Sequence, residues 1–211
     1  MLGAIRAAAQ LKLPLNIVAL LPVTENMPGG RALKPGDVLR TMSGQTIEIM
    51  NTDAEGRLIL SDALFYATRY KPEVIVDIAT LTGACAVALG NEASGMLGTS
   101  EPFKKMISAA GEKTGERVWE LPLWEEYYDL IKSDIADMKN AGGRGAGTIS
   151  AAALLSKFVQ KYPWVHIDVA GTAWGDKDRP CSPKGPTGMG MRLLTQFLRD
   201  YAANARPKVE G

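Results

Sequence analysis

Asn51-Thr52-Asp53-Ala54-Glu55-Gly56-Arg57-Leu58 lies between a run that alternates like a strand and a run that repeats like a helix. Upstream, Thr46-Ile47-Glu48-Ile49-Met50 alternates polar and apolar residues and is rich in β-branched side chains. Downstream, Leu60, Ala63, Leu64 and Ala67 recur at helical spacing. Asp53, Glu55 and Arg57 are therefore expected on a strand-to-helix turn, which in an open α/β sheet lies at the carboxyl edge where ligands bind. Two acids separated by one residue can aim at a common cation, and a nearby arginine suits an anion or a developing negative charge. Taken alone, the same residues also suit a solvated turn with a local ion pair.

The pattern continues on both sides. Residues 2–13 read as a helix and 15–21 as a buried strand, with a Gly/Pro-rich loop over 27–36. Residues 38–40 and 45–50 form a hairpin around Ser43-Gly44, helix 58–69 follows, and Pro72 breaks it. Strands are predicted at 74–79, 94–99 and 165–169, and helices at 101–114, 124–132, 148–160 and 190–201. Strands alternating with helices predict an α/β fold with a mixed, largely parallel sheet flanked by helices, in a single domain over 1–211.

Composition narrows the function classes. A net charge of +1 gives no general attraction for nucleic acid or anionic membrane. No apolar run approaches the roughly 18–20 residues of a membrane span. Cys85 and Cys181 make no disulfide framework, which fits reduced thiols in the cytoplasm. His166 is the one histidine and sits in a strand-like run, so metal chemistry must rest on carboxylates, which favour Mg, Mn or carboxylate-bound Zn.

Thr80-Leu81-Thr82-Gly83 directly follows strand 74–79 and should line the same cleft as Asp53; it is also what a simple tight turn looks like. Gly142-Gly143-Arg144-Gly145-Ala146-Gly147-Thr148 opens a helix, but no lysine precedes Thr148, so it is not a Walker loop. A packing or mobile loop near the cleft is the expectation. Asp77 and Asp168 lie inside strands as satisfied carboxylates or as supports of the site, and Glu25 and Asn26 border the cleft.

The octet at 51–58, together with Glu25-Asn26-Met27-Pro28-Gly29-Gly30, Lys34-Pro35-Gly36-Asp37-Val38, Ala79-Thr80-Leu81-Thr82-Gly83-Ala84 and the run from His166 to Trp174, resembles the leucyl (cytosol) aminopeptidase family, in the family's order. The resemblance runs from about Leu2 to Leu198 and is closest to bacterial members. It implies a zinc-exopeptidase-like catalytic domain that removes the amino-terminal residue of peptides, with apolar residues such as leucine preferred. It implies two divalent ions, Mn or Zn, with Asp53 and Glu55 as ligands. It also implies Arg57 as the catalytic residue, holding a bicarbonate-like anion or the oxyanion. Thr80, Leu81 and Gly83 would contact substrate, and Ala170 and Ala173 would shape the pocket for its first side chain. Where the family often has methionine, this chain has Ala173, which weakens a strict leucine preference.

The resemblance further implies a cytoplasmic homo-oligomer, a hexamer in full-length members. The family's other ligands, a lysine and two aspartates, lie upstream in a segment this chain does not have. The expectation is a partial catalytic domain, truncated at its amino end and inactive alone. The alternative is a non-catalytic assembly or DNA-binding module on the same fold, against which the near-neutral charge argues.

Overall fold

The computed structural model describes residues 1–178 and 182–203; Cys181 lies outside them. Its centre is a four-stranded sheet in the order β3-β7-β4-β5, built from Ile75–Ala79, Trp164–Asp168, Ser94–Gly98 and Val118–Glu120. β3 runs parallel to β7, and β4 parallel to β5, while β4 and β7 are antiparallel. The sheet is mixed, as the sequence predicts.

β7 explains why the sheet is covered on both faces. Every residue of it is buried, although its side chains alternate between the faces. Val165 and Ile167 join a core with Phe103, Ile107, Leu193 and Phe197. These come from helices α4 (Glu101–Thr114) and α6 (Met191–Ala202), and α1 (Leu2–Gln10) adds Ala4. Trp164 points the other way, into a core with Leu64, Leu97, Leu154, Leu155 and Phe158. Leu64 belongs to α2 (Gly56–Ala67), and Leu154 and Leu155 to the almost wholly buried α5 (Gly147–Ser156). The two strands of the central antiparallel pair touch at Gly98, where a Cβ would lie 2.3 Å from the carbonyl oxygen of Trp164.

A smaller sheet holds the hairpin β1 (Val38–Arg40) and β2 (Thr46–Glu48), with β6 (Met138–Lys139) parallel to β2. A short α3 (Gly83–Leu89) follows β3, and β8 (Trp174–Gly175) pairs with β9 (Gly185–Pro186).

The elements depart from expectation in three places. Residues 15–21 form no strand: apart from Leu15 N donating to Leu13 O, their main chain enters no ladder among the described residues. Val18 and Leu21 stay exposed at 54% and 45%. An apolar run records a preference for burial, and a strand also needs a paired neighbour. Residues 124–132 form a 3-10 segment, Glu125–Ile131, instead of an α-helix, and the helix after the glycine-rich loop ends at Ser156. The short strands β5, β6, β8 and β9 carry too few residues for a periodic signal.

Candidate functional site

The parallel pairing of β3 and β7 brings their carboxyl ends to the same edge, so the turn at 80–83 and the turn at 168–170 face each other. The acidic turn meets them there. Asp53, Glu55, Arg57, Thr80, Leu81, Gly83 and Ala170 line one cavity of about 240 Å³. The walls approach closely at Gly56, where a Cβ would come within 3.3 Å of Leu81.

Asp53 is exposed in a short 3-10 turn, Thr52–Ala54. Asn51 opens that turn by accepting a hydrogen bond from Asp53 N at 3.0 Å. Glu55 is half-buried, and its Oε1 accepts from Asn26 Nδ2 at 3.2 Å, which ties Asn26 to a residue of the cavity wall. Arg57 is buried. Its Nη1 donates to Asn140 O at 2.6 Å and its Nη2 to Gly147 O at 3.4 Å, while its buried Nε has no partner. Burial pulls the guanidinium pKa below its ordinary value, and Asp168 opposes that shift.

Asp168 is fully buried and ties the opposite wall together. Oδ1 accepts from Leu81 N and Ala170 N, both at 3.1 Å, and Oδ2 accepts from Thr82 Oγ1 at 2.6 Å. Thr82 Oγ1 also lies 2.8 Å from Thr148 Oγ1 at the start of α5 and caps α3 by accepting from Cys85 N at 3.2 Å. Beneath this wall, burial first and then Asp168 push the Cys85 thiol up to about 11, which keeps it protonated. Farther back, His166 Nδ1 pairs with Asp77 Oδ1 at 2.6 Å, and Trp164 Nε1 donates to Asp77 Oδ2 at 2.7 Å. Asp77 is thus a satisfied buried carboxylate and His166 a core residue.

One placement differs from the expected cleft. Ala173 does not line the cavity; the turn after Asp168 carries it past the rim, where its side chain packs on the Val165 side of the core. The glycine-rich loop serves as packing: Cβ atoms at Gly142 and Gly147 would lie 2.9 Å from Leu130 and Ala84. Sequence reasoning missed Asn140, Thr82 and Thr148 as supports. Thr82 stood inside a motif of interest, whereas Asn140 had only its place before a glycine-rich loop as a signal.

Among the described residues no group of three or more His, Cys, Asp or Glu side chains is placed to hold a metal ion. Asp53 and Glu55 suit a divalent ion in kind, as oxygen donors, and fall short of a complete centre in number. No helix of the described residues is long and apolar enough to cross a membrane.

Comparison with known proteins fits this geometry. Residues 1–195 match the family model described as cytosol aminopeptidase family, catalytic domain. The probable cytosol aminopeptidase of Geobacter sulfurreducens is 61% identical over 198 residues, covering 94% of this chain and 40% of the relative. That of Nitrosomonas eutropha is 59% identical over 200 residues, covering 95% and 39%. The solved structure of the bottromycin maturation enzyme BotP superposes with a TM-score of 0.91 at 39% identity, covering 95% of this chain and 45% of that one. The chain thus spans about 40% of the length of the curated relatives it matches.

Proposed function

The chain belongs to the cytosol aminopeptidase family, and we propose that it supplies the carboxyl-terminal part of a metallo-aminopeptidase catalytic domain, as one domain over 1–211. The reaction is hydrolytic removal of the first residue from peptides, with apolar first residues preferred. The observation that carries this reading is the shared cavity, which Asp53 and Glu55 line together with the turn at Thr80-Leu81-Thr82-Gly83.

Each residue has a role that follows from its chemistry. Asp53 and Glu55 hold one side of a Mn or Zn site through their oxygens. The chemistry such an ion would supply there is an activated water and polarisation of the scissile carbonyl. The exposed turn at Thr80 and Gly83 orients the peptide, and Leu81 and Ala170 give it an apolar wall. Arg57 places a positive charge at the wall. Two of its five N–H donors go to the carbonyls of Asn140 and Gly147, and a bicarbonate-like anion would pair with the donors left over. Ala173 lies outside the cavity and shapes it only through the turn it follows. In the cell the reading implies a cytoplasmic homo-oligomer, a hexamer by family resemblance.

Two donor side chains are too few for tight binding, so the chain alone should bind Mn²⁺ weakly and leave leucine amide unhydrolysed. The test is calorimetry with Mn²⁺ and Zn²⁺ beside an amidase assay. Sub-micromolar binding of two ions, or turnover by the chain alone, would mean that other carboxylates complete the site.

A further inference from the structure

We infer that Asn140 is the positioning residue that sets the carboxylate turn, so that Asp53 and Glu55 face one cation; the inference rests on the reading of that turn as part of a cation site. Asn140 is fully buried and follows β6 directly. Its main-chain N–H donates to Glu48 O at 2.9 Å, which carries the β2–β6 pairing one step toward the site. Its side chain is then engaged entirely with the acidic segment. Oδ1 accepts from Met50 N at 2.8 Å and from Asn51 N at 3.2 Å. Nδ2 donates to Asn51 O at 2.7 Å and to Ala54 O at 3.5 Å. A primary amide offers two acceptor lone pairs and two donor hydrogens, and all find main-chain partners here.

The contacts bracket Asp53: Met50 and Asn51 lie before it, Ala54 after it. The carbonyl of Asn140 also accepts Arg57 Nη1 at 2.6 Å, so the same residue fixes the far end of the motif. The turn itself is weakly held. It is a short 3-10 segment whose own bond, Ala54 N to Asn51 O, is long at 3.3 Å. Asp53 has no packing to hold it, because it is exposed. Ligands must stay within about 0.5 Å of a working geometry, and such precision comes from the groups behind them. Asn51 Oδ1 holds Asp53 N and Asn26 holds the Glu55 carboxylate, and the group that ties the main chain before and after Asp53 together is one buried amide contributed from 85 or more residues away in the chain.

The test uses the chain with Mn²⁺ alone as probe, because paramagnetic broadening of side-chain carboxyl NMR signals registers weak binding. In the wild-type protein, the signals of Asp53 and Glu55 should broaden at a common Mn²⁺ concentration. In Asn140→Ala, and in Asn140→Leu, which keeps the volume filled, the midpoint should rise about 10-fold or more, or the two signals should broaden at separate concentrations. Glu116→Gln, which weakens the start of α6 and touches no residue of the turn, serves as the destabilised control and should keep the wild-type midpoint. Folded Asn140 variants with the wild-type midpoint would overturn the inference and leave the cation reading standing. Absence of broadening at both carboxylates in the wild-type protein would overturn the cation reading, and the inference with it.

Discussion

Thr82 Oγ1 donates to Asp168 Oδ2 at 2.6 Å, joining the turn after β3 to the end of β7 at the edge where the cavity opens. That bond holds the two walls in register, since the other oxygen of Asp168 accepts from Leu81 N and Ala170 N. Both side chains are buried, so water cannot replace a lost partner. Thr82→Val keeps the shape and removes the donor. It should cost about 2–3 kcal/mol, the usual penalty for stripping a buried carboxylate of a hydrogen bond. Urea denaturation checks this, with Thr99→Val, a replacement at the sheet's other end, for comparison.

Glu116 is a cap supplied from outside its helix. Its Oε2 accepts from Gly190 N at 3.0 Å and Leu193 N at 2.8 Å, at the start of α6, and Oε1 accepts from Arg192 Nε at 3.0 Å. Only 3% of the residue is exposed. Glu116→Gln should destabilise the fold by about 1–3 kcal/mol through weaker, uncharged acceptance at a helix amino terminus. Thermal denaturation should show the loss, without a change in Mn²⁺ binding.

His166 gives stability a pH dependence with a definite sign. Burial works against its charge, but Asp77 and then Asp168 outweigh burial and the opposing Arg57, so its pKa is raised above the ordinary 6.5. The folded state therefore binds the proton more tightly than the unfolded state. This contribution is fully present below about pH 6.5 and is lost as the pH rises through the higher folded value. The urea midpoint should fall over that alkaline-going window, and His166→Gln should flatten the slope.

Gly98 tests the packing of β4 on β7. A Cβ there would meet Trp164 O at 2.3 Å and Val165 Cα at 3.0 Å, both main-chain atoms that cannot turn aside. Gly98→Ala should cost at least the upper end of the roughly 1–3 kcal/mol typical of overpacking. Chemical denaturation of the purified variant reads this directly.

Local pattern carried most of the fold and only part of the site. The helix at 101–114 is legible because its apolar residues Phe103, Met106, Ile107 and Ala110 repeat at helical spacing, and α4 spans those residues. The segment 15–21 is equally apolar but has no partner strand among the described residues, a fact about neighbours that no single segment records. The cavity follows the same division. Asp53 and Thr80 do share the cavity, but the strands they follow, β2 and β3, belong to different sheets, so the expectation of one sheet edge brought together the right residues for a reason this fold does not supply. Asn140 could not be placed there, because its role depends on β6 lying beside β2, and a strand of two residues leaves no periodic trace. Ala173 was misplaced by following the motif past its turn.

The central claim is that Asp53 and Glu55 and the Thr80–Gly83 turn form one part of an aminopeptidase site. The most direct measurement is leucine amide hydrolysis, in the presence of Mn²⁺, by a chimera in which this chain replaces the matching 198-residue region of the Geobacter sulfurreducens relative, with that relative as reference. The account predicts turnover by the chimera, and a fall of more than about 100-fold on Asp53→Ala or Glu55→Ala, beyond the range for a residue that only supports a ligand. A folded chimera that is silent beside an active reference, or one whose turnover survives both substitutions, would contradict it.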